Sequence, residues 1–171
     1  MQPKQSEPDV KIKLFHIPAI LLLLAGISGL SSCDDSKSCN APVDSFLGIT
    51  FHYMIDDERE ADTTLPALTM YGIGREDSLL ALNQPVNSVF VPLKQTADTT
   101  RFYLQTDSTS HGGDTITVMY KRSLHFISPG CGFSTNYTLD SVHFTRHYID
   151  SVWINRPDIT TSNVENLKLY F

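Results

Sequence analysis

The sequence predicts an all-β domain, an antiparallel β-sandwich of immunoglobulin-like architecture over residues 42–171. Three observations carry that expectation. After Pro42 the chain is dominated by Val, Ile, Thr, Tyr and Phe. Its apolar residues recur every second position, and no stretch of helical length places them at i, i+3, i+4 and i+7. Turn residues break these runs at short intervals, the pattern of sandwiches and barrels.

The elements follow in chain order. Leu47, Ile49, Phe51 and Tyr53 alternate with Gly48, Thr50 and His52, the two-residue period of a half-buried strand. Strands are expected over 65–73, 77–82 and 88–93, the last with Pro92 marking an edge or a strand end. Another covers 101–105, and the Ser- and Gly-rich 107–113 is a turn. Ile116, Val118 and Tyr120 then alternate with Thr115, Thr117 and Met119, and Leu124 and Phe126 continue that face after a kink at Lys121-Arg122. Pro129-Gly130 is a stop, and strands over 137–145, 148–155 and 167–171 complete the set. A membrane barrel is the competing architecture, since the chain ends on Phe171. Spanning strands need about 9–11 residues, and most of these runs are shorter.

Residues 1–32 have the layout of an export signal. Lys4, Lys11 and Lys13 lie in a polar stretch, residues 14–30 carry no full charge, and Ser31 and Ser32 are small residues before Cys33. A permanent span needs about 20 apolar residues. The run here is 17 positions long and is broken by His16, Pro18, Gly26 and Gly29.

Leu30-Ser31-Ser32-Cys33 resembles the lipobox of bacterial lipoproteins, in which the cysteine thiol is alkylated by a diacylglycerol and the chain is cut before it. The resemblance implies a lipoprotein signal peptide (1–32), a lipidated linker (33–41) and a folded domain (42–171). Each buried CH₂ contributes about 0.8 kcal/mol, so two or three chains such as palmitate hold a protein where one does not. Asp34 and Asp35 are expected to act as a sorting mark for the outer membrane, with either the periplasmic or the cell-surface face open.

Without residues 1–32 the chain has 139 residues. It loses two of 19 acids (Glu7, Asp9) and three of 13 bases (Lys4, Lys11, Lys13), which leaves a net charge of −7. Such a protein has no electrostatic attraction to nucleic acid or to an anionic bilayer surface. The membrane is reached through the lipid anchor. With Cys33 acylated, Cys39 and Cys131 remain, and an oxidising compartment allows them to pair. No C-x-x-C occurs, so the pair reads as a staple and not as a redox or zinc site.

Chemistry-bearing motifs fail: there is no G-x-S-x-G, H-E-x-x-H or P-loop, so no catalytic residue, cofactor or metal ligand is assigned. Gly72-Ile73-Gly74 is a turn. His143 and His147 would share a face if both lay in one strand, but with Arg146 between them solvent-facing histidine is the simpler reading, as for His52, His111 and His125. Asp56, Asp57, Glu58, Glu60 and Asp62 read as a solvated acidic loop in preference to a calcium site. Asp-Ser or Asp-Thr followed by an aliphatic residue or Thr recurs at Asp62, Asp77, Asp98, Asp107, Asp114, Asp140 and Asp150. Turn chemistry explains them first. They also resemble the O-glycosylation motif of exported Bacteroidota proteins, for which Thr99 and Ser108 are the expected exposed acceptors.

The lipobox, Cys39, Val91-Pro92-Leu93, the Thr-rich strand ending in Tyr120, Ser128-Pro129-Gly130-Cys131-Gly132-Phe133, Val152-Trp153-Ile154-Asn155 and the ending Glu165-Asn166-Leu167-Lys168-Leu169-Tyr170-Phe171 stand in one order. Together they resemble a family of small Bacteroidota outer-membrane lipoproteins known only as a domain of unknown function. The resemblance implies a β-sandwich and the Cys39–Cys131 disulfide, and it brings no activity. The expected role is a non-catalytic binding or assembly module with an envelope protein partner. The alternative is a carbohydrate-binding accessory module, with Trp153, Tyr71, Tyr103 or Tyr148 as a stacking platform, although a lone tryptophan among alternating apolar residues suits a core.

Overall fold

Alternation builds the first strand. β1 (Phe46–Asp56) sends Leu47, Ile49 and Phe51 into the core and turns Gly48, Thr50 and His52 to the other face. The structure, a computed structural model, describes residues 39–56, 59–107, 109 and 112–171, which belong to the unit Cys39–Phe171. The export segment, Cys33, Asp34, Asp35 and Ser108 lie outside the described residues.

The other strands are β2 (Arg59–Asp62), β3 (Leu65–Gly72), β4 (Leu79–Val86), β5 (Ser88–Pro92), β6 (Thr99–Gln105), β7 (Asp114–Ser128), β8 (Gly132–Phe144), β9 (Ser151–Ile154), β10 (Asp158–Ile159) and β11 (Glu165–Tyr170). They form two sheets. One runs β2-β1-β11-β9, with β5 also on β1; the other runs β10-β8-β7-β6-β3-β4. Both are open, and their inner faces share one core that includes Phe51, Leu68, Phe102, Leu104, Ile116 and Leu167. This is the expected sandwich, with edges in place of barrel closure.

The sheets are antiparallel except at one pair. β1 and β11 run parallel, with Ile49 opposite Leu167 and Phe51 opposite Leu169. Parallel neighbours need a long crossover, and here nearly the whole domain serves as that crossover. Gly48 sits where β11 begins. A Cβ there would lie 2.1 Å from the Val164 carbonyl oxygen, so only glycine allows the approach.

Three departures from the sequence expectation have physical causes. Of the acidic residues, Asp56 ends β1 and Glu60 and Asp62 lie in β2, which returns along β1 with His52 opposite Asp62 and Met54 opposite Glu60. Asp56 accepts hydrogen bonds from Arg59, while Asp57 and Glu58 lie outside the described residues. Lys121-Arg122 does not break β7, because β8 supplies backbone partners from Tyr120 to Ser128 and the irregularity is a register shift at Met119/Tyr120. β8 also begins at Gly132, five residues before expectation, for the same reason.

β6 pairs with β7 only up to Met119, and β10 touches β8 only at Tyr137 and Thr138. Beyond those points β7 and β8 form a two-stranded ribbon that leaves the sandwich. Its turn is closed by Gly132 at φ 73° and by the Cys131 N–H donating to Ser128 Oγ at 3.1 Å. Cys39 and Cys131 are disulfide-bonded, with Cα atoms 4.7 Å apart, within the usual range for a bridge. The chain between Cys39 and β1 is thereby laid against the ribbon, and Ser45 Oγ donates to Asn136 Oδ1 at 3.4 Å.

Candidate functional site

The outer face of the β1 sheet carries the densest polar constellation among the described residues. Strand register sets its rows. One row runs Trp153, Lys168, Thr50; the next runs Ser151, Tyr170, His52, Asp62. Trp153 was expected to suit a core, yet it is 63% exposed, because Val152 and Ile154 are the residues of β9 that pack inward.

Beside it the side chains are wired together. Thr50 Oγ1 donates to Glu165 Oε2 at 2.7 Å, and Asn155 Nδ2 donates to Glu165 Oε1 at 2.6 Å. Lys168 Nζ and the Tyr170 hydroxyl both donate to the Glu60 carboxylate. These bonds, the one from Lys168 foremost, hold Glu60 below the usual carboxylate range. Tyr170 is pushed up to about 12, first by burial and then by its bond to Glu60.

His52 was expected to face solvent and is 3% exposed. Its Nε2 lies 2.8 Å from Thr50 Oγ1, and its Nδ1 lies 3.2 Å from Asp62 Oδ1 without a hydrogen bond. A hydroxyl, an imidazole and a carboxylate in this order suggest a nucleophile relay. Thr50 Oγ1 also lies 3.3 Å from the Leu167 carbonyl oxygen, so its hydroxyl stands among Glu165, Leu167 and His52 at once. The wiring orders the face.

A second polar centre closes the other sheet. Asp114, fully buried, accepts from Thr145 Oγ1 at 2.7 Å and from the N–H groups of His147, Tyr148 and Ile149 at 2.9, 2.8 and 3.0 Å. Burial alone pushes its carboxyl up, but these four donors outweigh that and hold it below the ordinary aspartate value. Among the Asp-Ser and Asp-Thr pairs, Asp107 makes the expected local turn bond, to the Thr109 N–H at 2.9 Å. Asp114 reaches more than 30 residues along the chain instead.

The remaining candidates are dispersed. His143 lies in β8 and His147 beyond its end, so no single strand presents both. Among the described residues no group of three or more His, Cys, Asp or Glu is placed to hold a metal ion. Tyr71 and Tyr103 stack on each other, with ring centroids 5.0 Å apart, and so do not form a flat platform. Thr99, expected to be exposed, is half-buried as the first residue of β6. A cleft of about 420 Å³ beside the Gly72–Gly74 turn has Leu80, Leu93 and Phe102 among its walls and Arg75 and Lys94 as its charges. Its lining contains no His, Cys or carboxylate.

Sequence reasoning noted Trp153 as a platform candidate but not the network around it, which needs the parallel β1–β11 pairing to bring Thr50 beside Lys168. The comparisons add a family and no activity. The model described as Family of unknown function (DUF6452) matches residues 67–171. No curated protein and no solved structure matches.

Proposed function

From the premise that the chain belongs to the family of unknown function DUF6452, we propose that it is a lipid-anchored module of the outer membrane that works by binding or assembly and not by catalysis. The observation that carries the proposal is Cys33, placed directly after the small residues that end the apolar run and directly before Asp34 and Asp35. In this reading the thiol is acylated, the signal is removed, and the acidic pair sorts the product to the outer membrane of a Bacteroidota cell. The Cys39–Cys131 bridge supports an oxidising compartment. The test is the intact mass of the protein purified from its membranes. A chain starting at Cys33 and heavier by a diacylglycerol is expected, and a bare chain, or one that retains residues 1–32, would contradict the proposal.

A second reading is favoured by one specific observation. Trp153 presents an exposed indole next to Lys168, with Asn155, Glu165 and Glu60 close by in the same network. An aromatic face rimmed by carboxylate and amide groups is suited to stacking on a sugar ring and bonding its hydroxyls. The ligand of the module would then be an envelope or surface glycan, and otherwise an envelope protein.

A further inference from the structure

The ribbon that leaves the sandwich carries apolar side chains that the described residues leave largely exposed. Leu124, Phe126 and Phe133 are 75%, 52% and 63% exposed. Phe126 and Phe133 are directly opposed across the ladder, with ring centroids 5.3 Å apart, and Leu124 lies two residues along on the same face. They continue the row of Ile116, Val118 and Tyr120, which is buried only where the second sheet lies over it. On the opposite face Ser134 is buried, and Ser45 reaches Asn136. The apolar face is therefore the open one. Where the ribbon leaves the domain, Arg122 is bonded to Asp98 and to the Gln95 carbonyl.

We propose that this face is a membrane-contact surface: the tip of the β7–β8 ribbon enters the lipid leaflet that holds the acylated Cys33. The inference rests on the anchor reading above and adds how the domain stands on it. Covalent geometry supplies the occupant. Cys39 is bonded to Cys131, two residues from Phe133, and Cys33 lies six positions before Cys39. A fully extended chain advances at most about 3.6 Å per residue, so the Cα of the acylated cysteine lies within about 22 Å of the Cα of Cys39, where the disulfide fixes the ribbon tip. An anchor at the end of a free linker could leave the domain in any orientation. An anchor whose linker is bonded to an aromatic tip brings that tip to the bilayer. Apolar side chains then enter the boundary between headgroups and acyl chains.

The experiment uses the full lipidated protein, reconstituted through its own anchor into phosphatidylethanolamine–phosphatidylglycerol vesicles whose acyl chains carry bromine. F133W is made in a W153F background, so that one indole reports, and F126W in the same background serves as a second reporter should the first disturb the turn. About twofold quenching by the bromines, with loss of access to iodide in water, is expected for residues buried at the headgroup–acyl boundary. An indole that remains open to iodide and is untouched by bromine overturns the inference. An indole shielded from iodide but not quenched by bromine also overturns it, since a protein partner or a second copy then covers the face. Intact mass separates the two levels of failure. A protein without lipid overturns the anchor reading and this one together, whereas a lipidated protein with an unquenched indole overturns this one alone.

Discussion

Asp114 is the residue on which the far side of the sandwich depends. A carboxylate is the one side chain that can accept from a hydroxyl and three backbone N–H groups at once, and here it fastens the chain after β8 to the start of β7. Asp114→Asn keeps the shape but turns an amide donor toward N–H groups that need an acceptor. A loss of about 2–4 kcal/mol is expected in urea unfolding at pH 7. The pH dependence has a definite sign. The folded carboxyl titrates below the ordinary value of 3.8, so its contribution is complete above that value and is lost as pH falls through the folded one. The gap between wild type and variant should therefore close as pH is lowered past 3.8, and a gap independent of pH would show that the carboxylate is not what holds these donors. None of this was legible from the Asp114-Thr115 dipeptide, because the partners are remote in sequence. Trp153 was misjudged for a related reason. Alternation fixes which residues share a face, and only the packing of Val152 and Ile154 says which face is inside.

Among the elements, the long strands with clean alternation were legible, and those made of polar or charged residues were not. β2 has the sequence Arg-Glu-Ala-Asp and is a strand only because β1 offers it a register and because Glu60 and Asp62 meet Lys168, Tyr170 and His52 across the sheet. β10 is two residues long and has no periodicity to detect. The ribbon is the element with the least support, since an isolated two-stranded hairpin is marginal in water. The Phe126–Phe133 pair and the Cys39–Cys131 bridge are its stabilisers. Replacing both cysteines by serine releases a loop with a sequence separation of 92. The chain-entropy account puts the cost near 4.7 kcal/mol for a loop of about 100 residues. The expected result is a clearly lower Tm for the double variant, with amide exchange accelerated first in residues 121–136. An unchanged Tm with unchanged ribbon protection would mean that the bridge neither stabilises the domain nor orders the ribbon.

At the scale of the molecule, the two-sheet architecture follows from the period-two pattern, whereas the order of strands does not. A final strand at the C-terminus was expected, but its parallel docking on β1 was not, because nothing local in Glu165-Asn166-Leu167-Lys168-Leu169 distinguishes a parallel neighbour from an antiparallel one. Asn166 helps to set that arrangement from inside. Its side chain accepts from the Gly48 N–H and donates to the carbonyls of Arg156 and Asp158, joining β1, β11 and the connection from β9 to β10. The outer-face network around Glu60 and His52 exists only because that docking places β11 between β9 and β1. The same layout leaves the Cys39 end of the domain and the ribbon tip together, where the anchor reading needs them. The measurement that bears most directly on this account is membrane fractionation of cells that produce Cys33→Ala beside the parent protein. The account predicts a variant that keeps its signal segment and is absent from the outer-membrane fraction, and a variant cut and fractionated like the parent would contradict it.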